Sequence, residues 1–344
     1  MFGKGLHTIV DGQFGSTGKG LLASYLAVKA ADMGVEFRGV VSNAGPNSGH
    51  TSYFKGRKIV LKQLPTFAVI NHLMGIKTPV YLSAGAIIDP TTLAEEIAAF
   101  PDIEVYVHPQ AAIISRDDVN SEHSGSIAAV AGTRKGVGAA LARKVNRQPS
   151  AVASSNKALI LATGAIVLDF TRTIQKDLIS GHNLFMEISQ GFSLGINSEF
   201  YPKVTSRECT VMQGLADARI APEHSAMVYM SARTFPIRVG NFDGHHSGGH
   251  YYDQEELTWD DVGVPPELTT VTLRERRVFS FSEKQIQEAM WANMPDVVFL
   301  NFCNYLTEDR ARAIMDKIRW LSPKQPITIL SGWGPDIKDV KHEG

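Results

Sequence analysis

Residues 7–31 read HTIVDGQFGSTGKGLLASYLAVKAA. The opening HTIVD is β-branched and apolar, the closing eleven residues are rich in alanine and leucine, and glycines fill the space between. The stretch therefore predicts strand, glycine loop and helix in direct succession. Glycines let backbone N–H groups curl around an anion, Lys19 adds a positive charge, and the helix N-terminus adds its dipole, so the placement predicts a phosphate site. The loop is not a strict mononucleotide P-loop. The pattern G-x-x-x-x-G-K-[ST] asks for glycine at position 13 and a hydroxyl at position 20, where Gln13 and Gly20 stand. The missing hydroxyl removes the usual magnesium ligand, which weakens an ordinary kinase or ATPase reading. The competing reading is a tight βα turn whose glycines serve packing alone.

Working outward, runs at 37–41 (FRGVV), 103–107 (IEVYV), 183–188 (NLFMEI), 296–300 (DVVFL) and 326–330 (PITIL) predict further buried strands. Helical stretches separate several of them. Asp89 before Pro90 is an N-cap with proline at the first helical position, Ser282 and Gln285 have capping-box spacing, and TEDRARAIMDKI follows the 296–300 strand. This alternation predicts an α/β fold, a mainly parallel sheet flanked by helices, with a nucleotide at the carboxyl ends of its strands. The length of 344 residues would suit about two average domains. No repeat, low-complexity tract or Pro/Gly linker divides the chain, so a single domain over residues 1–344 is expected. The polar, glycine-rich stretch from Gly240 to Pro266 reads as an inserted functional loop or hairpin.

Lys and Arg number 34 against 35 Asp and Glu. That balance excludes nucleic-acid binding carried mainly by phosphate neutralisation, which needs a large cationic excess. No apolar run approaches the roughly 20 residues of a membrane span, and MFGKGLHTIV lacks the features of a signal peptide. A cytoplasmic protein without membrane or direct nucleic-acid partners is expected. Cys209 and Cys303 are far apart and form no metal-spaced pair, which argues against a disulfide framework or zinc module.

After the next strand comes Asn43-Ala44-Gly45-Pro46-Asn47-Ser48-Gly49-His50-Thr51, small and amide residues around one histidine. Together, the two loops resemble those of the adenylosuccinate synthetases, G-x-x-x-G-D-E-G-K-G and N-A-G-H-T. The resemblance continues in chain order. Residues 132–138 (GTRKGVG) resemble T-T-G-R-G-I-G, and 144–147 (KVNR) resemble K-V-A-R. Residues 187–191 (EISQG) resemble E-G-A-Q-G, and 201–206 (YPKVTS) resemble Y-P-Y-V-T-S. Residues 269–277 (TTVTLRERR) look like the loop that grips aspartate, and 331–335 (SGWGP) look like the terminal S-T-G-P. Colinear matches from residue 12 to 335 are far more specific than one glycine loop.

The resemblance implies the P-loop-NTPase-like adenylosuccinate synthetase fold with long inserted loops, and a carbon–nitrogen ligase that uses a nucleoside triphosphate and Mg2+. Family members phosphorylate the purine 6-oxygen, after which the aspartate amine displaces phosphate at C6. By this resemblance Lys19 and His50 act catalytically, with Ser16 at the third catalytic position. Asn47, Thr133, Gln190 and Thr205, with Ser16, hold the nucleoside monophosphate, and Arg147 reaches its phosphate from the neighbouring subunit of a homodimer. Gly15, Thr17, Gly18, Lys19, Gly20, Gly49, His50, Thr51, Asn304, Ser331, Gly334 and Pro335 surround the triphosphate. Thr270, Val271, Thr272, Arg274 and Arg276 hold L-aspartate, and Ser16 and the Gly49 carbonyl stand at the magnesium. In isolation the cationic stretch from Arg134 to Arg147 reads better as a solvated helix face.

Two departures from the family pattern are informative. Ser16 replaces the aspartate that acts as base on purine N1 and binds magnesium; a hydroxyl does neither well. The shorter side chain leaves room beside C2 for an exocyclic amino group, and this substitution resembles the phage branch of the family, the N6-succino-2-amino-2′-deoxyadenylate synthases. A substrate of dGMP is the implication, with ordinary IMP use or a non-catalytic nucleotide-binding protein as alternatives. In a phage-encoded enzyme the compartment would be the host cytoplasm. Asn301-Phe302-Cys303-Asn304 replaces T-K-L-D, whose aspartate reads guanine. An amide at Asn304 suits adenine, so ATP or dATP is expected as donor. His245, His246 and His250 are close in sequence but lack a fixed carboxylate or cysteine partner for a metal.

Overall fold

The computed structural model describes residues 2–124, 132–241, 244–269 and 274–343. Among the described residues ten strands form one sheet: β1 (Leu6–Asp11), β2 (Phe37–Ser42), β3 (Val80–Leu82), β4 (Val105–Val107), β5 (Ile166–Val167), β6 (Asn183–Glu187), β7 (Ser225–Arg233), β8 (Val297–Asn301), β9 (Thr328–Gly332) and β10 (Val340–Glu343). Their spatial order is β10-β9-β8-β7-β1-β6-β2-β3-β4-β5. Every neighbouring pair is parallel except the edge pair β9–β10. β1 thus lies centrally, between strands that arrive much later in the chain, and the loop that leaves it opens at the switch point where such sheets bind ligands.

Both faces of the sheet are covered. Ile9, Phe185, Tyr229 and Phe299 point to one core with Leu22, Leu26 and Phe67, while Val10, Met186, Met230 and Leu300 point to the other with Ile286 and Ile318. Two-sided burial explains why the strands read as continuous apolar runs, since alternate residues enter different cores. All six predicted strands are present. The central strand β7, SAMVYMSAR, was missed by composition because serines, methionines and an arginine interrupt its apolar character. Its polar members have partners: Ser231 Oγ lies 2.5 Å from Thr17 Oγ1.

The predicted helix starts hold in detail. Asp89 accepts from the Thr91 N–H, and Thr307 accepts from the Arg310 N–H at the start of Glu308–Leu321. Ser282 likewise caps Glu283–Asn293, but the capping box is incomplete. The Gln285 side chain turns instead to Ser193 Oγ and Gln254, buried polar groups that a local pattern cannot foresee. The 240–266 stretch also differs from the expected loop or hairpin. It carries a strand, Glu256–Leu257, and a short capped helix, Trp259–Val262. The strand joins Arg277–Phe279 and Ile237–Arg238 in a three-stranded sheet over a small core of Ile237, Trp259, Val262 and Val278. Trp259 and Val262 supply the apolar anchor that overrides the polar composition.

Candidate active site

At the carboxyl end of β1 the chain enters the glycine loop, and helix Lys19–Asp32 begins at Gly18 with φ 96°. A side chain at Gly18 would be strained twice, by this left-handed backbone and by Asn301 Nδ2 only 2.0 Å from the Cβ position. Among the described residues no side chain caps this helix, so its first N–H groups face the loop as an anion site. A cavity of about 570 Å³ opens there. Among the predicted site residues, Gly15, Ser16, Thr17, Gly18, Lys19, Gly20, Asn47, Gly49, His50, Thr51, Thr133, Gln190, Arg276, Asn304, Gly334 and Pro335 line it. One cavity therefore gathers segments that lie up to 320 residues apart in sequence, from Gly15 to Pro335.

Asp11, which sequence reasoning passed over as the end of a strand, organises the glycine loop from below. Completely buried, it accepts from the Gln13 N–H (2.9 Å), the Gly15 N–H (3.2 Å), Thr17 Oγ1 (2.5 Å) and Lys19 Nζ (3.0 Å). Lys19 also donates to the Gln190 carbonyl at 2.8 Å. Gln190 has φ 71°, and its Nε2 is buried without a partner among the described residues, which leaves a donor for a ligand. An acid directly before a glycine loop was the available sequence signal.

His50 starts the hairpin strand His50–Phe54, and its Nδ1 is buried with no hydrogen-bond partner among the described residues. Burial, assisted by the charge of Lys19, pushes its pKa down to about 3, so the ring is a neutral imidazole. Glu187 Oε2 lies 4.0 Å from that nitrogen. Burial raises the Glu187 pKa to about 7, although its carboxylate accepts from the N–H groups of Phe67 and Thr66 at the start of helix Thr66–Leu73.

A second group of contacts joins the loops on the other side. Arg276 Nη1 donates to Ser16 Oγ at 2.8 Å, and Arg276 Nε donates to the Leu268 carbonyl. Burial lowers the Arg276 pKa to about 10. Arg233, at the end of β7, is fully buried and forms an ion pair with Glu267. It also donates to the Ser16 carbonyl and lies 3.9 Å from the centre of the Phe302 ring. Tyr305 donates to Glu267 as well, at 3.1 Å. Arg233, Glu267 and Tyr305 carried no motif and emerge only in three dimensions, and Phe302, which stands in the segment that replaces T-K-L-D, had no role assigned from sequence.

Other predicted residues stand outside the cavity lining. Arg147 is exposed with φ 58°, just past helix Val137–Val145. Thr205 donates its N–H to the Leu194 carbonyl. Ser331 is buried and spends its hydroxyl on Glu343 and the Trp333 indole. Arg274 exchanges hydrogen bonds with Thr269, closing the base of the aspartate-loop candidate, and burial and nearby Arg134 lower its pKa. Thr270, Val271 and Thr272 lie outside the described residues. His246 and His250 are used locally, on the Gly248 N–H and the Tyr251 carbonyl. Among the described residues no three His, Cys, Asp or Glu side chains are placed to hold a metal ion. Likewise, no helix among them is long and apolar enough to cross a membrane.

A parallel sheet with a lysine-bearing glycine loop at its switch point, facing a cavity rich in backbone donors, defines a nucleotide-binding enzyme. The family model for adenylosuccinate synthetase matches residues 8–159 and 150–312, and the chain belongs to that family of carbon–nitrogen ligases. Among curated relatives, the N6-succino-2-amino-2′-deoxyadenylate synthase of Vibrio phage phiVC8 is 38% identical over 98% of both chains. The enzyme of the same name from Cyanophage S-2L is 36% identical, covering 98% of this chain and 93% of the relative. A solved structure of the Cyanophage S-2L succinoaminodeoxyadenylate synthetase, bound to dGMP and dATP, superposes with a TM-score of 0.86 at 35% identity over 99% of this chain and 96% of that one. Fully ligated adenylosuccinate synthetase from Plasmodium falciparum shares the fold, with a TM-score of 0.80 at 16% identity over 99% and 100% of the two chains.

Proposed function

We propose that this protein joins L-aspartate to C6 of dGMP with hydrolysis of ATP or dATP, giving N6-succino-2-amino-2′-deoxyadenylate as a precursor of 2-aminoadenine in phage DNA. The observation that carries the reading is Ser16 at the cavity wall, where the family pattern has a carboxylate. The names of the phage relatives and the dGMP and dATP bound by the cyanophage neighbour support it.

In this reading the γ-phosphoryl group leaves the nucleoside diphosphate for guanine O6 while the N1 proton passes to water, and the free aspartate amine then attacks C6, expels phosphate and gives up a proton to water. Phosphoryl transfer depends on positioning and charge neutralisation. Neutral His50 donates a hydrogen bond to the transferring group, and Lys19 shifts from Asp11 toward the phosphates. Asn47, Thr133, Gln190 and Thr205 hold dGMP, Arg147 reaches its phosphate from the second subunit of a homodimer, and the 270–276 loop grips aspartate with Arg274 and Arg276. Ser16 Oγ and the Gly49 carbonyl are neutral donors, so negative charge for Mg2+ must come from the triphosphate, in keeping with its usual binding through phosphates and waters. When bound, the ion would neutralise charge on the phosphates. In this reading the enzyme works in the host cytoplasm, where its nucleotide substrates are found.

The test is phosphate release with IMP, GMP and dGMP crossed with ATP, dATP and GTP, in the presence of aspartate and Mg2+. Turnover of dGMP above IMP supports the proposal, whereas equal or faster turnover of IMP returns the protein to ordinary adenylosuccinate synthesis.

A further inference from the structure

We propose that Arg238 is a positioning residue for the monophosphate side of the cavity, a buried guanidinium that sets the glycine loop, the 201–206 loop and the 240–266 insert against one another. Arg238 ends the short strand Ile237–Arg238; its neighbours Ile237 and Val239 line the cavity, and Arg238 does not. Its side chain is buried and bonds to the other two segments. Nε and Nη2 donate to the Ser247 carbonyl at 3.1 and 2.7 Å, and Nη2 also donates to the Lys203 carbonyl at 2.7 Å. The guanidinium carbon stands 4.6 Å from the centre of the Phe14 ring and 5.4 Å from that of Phe200, within cation–π reach of both. Phe14 lines the cavity and directly precedes Gly15 and Ser16.

Electrostatics oppose this placement. Where Ile237–Arg238 pairs antiparallel with Arg277–Phe279, Arg238 stands directly opposite Arg277, and like charges so placed destabilise a sheet. Arg277 takes the nearby carboxylate of Glu256 for itself through two hydrogen bonds of 2.6 and 2.5 Å. Among the described residues no carboxylate pairs with Arg238, and its Nη1 is buried without a partner. Burial, with Arg277 beside it, lowers the Arg238 pKa to about 9. The insert is shaped to admit the group: Gly248 has φ 118°, and a Cβ there would lie 2.1 Å from Arg238 Nη2. A cation kept in the interior against its own repulsion breaks a rule of stability, and such breaks mark sites that serve function. Its ring and carbonyl partners fall on the loop of Ser16 and on the 201–206 loop, and none of them falls on residues 301–305 or 331–335.

The inference rests on the reading that sets dGMP against those two loops. The full chain, as Arg238→Met and Arg238→Lys variants, is titrated calorimetrically with dGMP, IMP and a non-hydrolysable ATP analogue. Methionine keeps the stem and removes the charge and the donors. Lysine keeps the charge, but a single ammonium cannot bridge two carbonyls and stack on Phe14 at once. Both variants should weaken dGMP by about tenfold or more and leave the ATP analogue within about twofold of the parent. Parent-like dGMP affinity in both would overturn the proposal. So would equal losses for dGMP and the ATP analogue, which mark a general brace of the fold, or full affinity in the lysine variant alone, which makes charge sufficient. If methionine prevents folding, the lysine variant carries the same comparison. A parent that binds IMP and not dGMP defeats the substrate reading, and the selective loss is then read on IMP.

Discussion

Arg276 donates from Nη1 to the Ser16 hydroxyl at 2.8 Å, tying the candidate aspartate loop to the glycine loop. A carboxylate at position 16 would turn that neutral contact into an ion pair, draw Arg276 from the amino-acid substrate and crowd the guanine 2-amino group. Ser16→Asp should lower kcat/KM for dGMP by at least about tenfold, equivalent to roughly 1.4 kcal/mol of transition-state stabilisation, and raise KM for aspartate. It should not make IMP a good substrate by itself. Steady-state kinetics decide the matter, and unchanged use of dGMP would show that Ser16 is not the substrate determinant.

Asp11 should be required for the shape of the glycine loop. Asp11→Ala leaves the Lys19 ammonium without its buried counter-charge and removes the acceptor of two backbone N–H groups and the Thr17 hydroxyl. Breaking a buried pair in this way costs about 3–5 kcal/mol. Urea denaturation should record that loss, with a smaller one for Asp11→Asn, which keeps an acceptor. A loss below about 1 kcal/mol for alanine would show that the loop holds itself without the carboxylate.

Glu187 gives a stability profile of defined sign. Its folded pKa of about 7 stands above the ordinary carboxylate value of 4.5, so the folded state binds the proton more tightly than the unfolded chain. The stabilisation is fully present below pH 4.5 and is lost as pH rises toward 7, by about 3 kcal/mol in all. Glu187→Gln cannot ionise, so the stability of the parent relative to this variant should fall between about pH 4.5 and about pH 7. Denaturation curves that stay parallel across that range would contradict the assignment.

Donor choice should follow Asn304. A carboxylate accepts from guanine N1–H and N2–H, so Asn304→Asp should shift the kcat/KM ratio toward GTP by about tenfold or more, on a difference of roughly 1–3 kcal/mol. An unchanged ratio would move base discrimination to another residue.

Arg147 does not line the cavity of its own chain, which suits a role across a dimer interface. Arg147→Ala subunits mixed with His50→Ala subunits should regain about a quarter of parental activity under random exchange, since half the dimers are mixed and each has one intact site. Proven exchange without recovery would count against a shared site.

Strand, glycine loop and helix were legible at residues 7–31 because each depends on local backbone preference, and the colinear motifs located most of the cavity's loops. The sequence did not disclose β7, whose serines and arginine become acceptable in a central strand only when Thr17 and Glu267 receive them. Nor did it show that Ser331 is occupied by Glu343, that Asp11 sits beneath the loop, or that Arg233 reaches Ser16, Glu267 and Phe302 together. Local patterns determined which segments bend around ligands. The tertiary structure decided which charges meet, because a buried ion or hydrogen-bonding group takes its partner from whatever strand the sheet order places beside it, and that order joins residues more than two hundred positions apart.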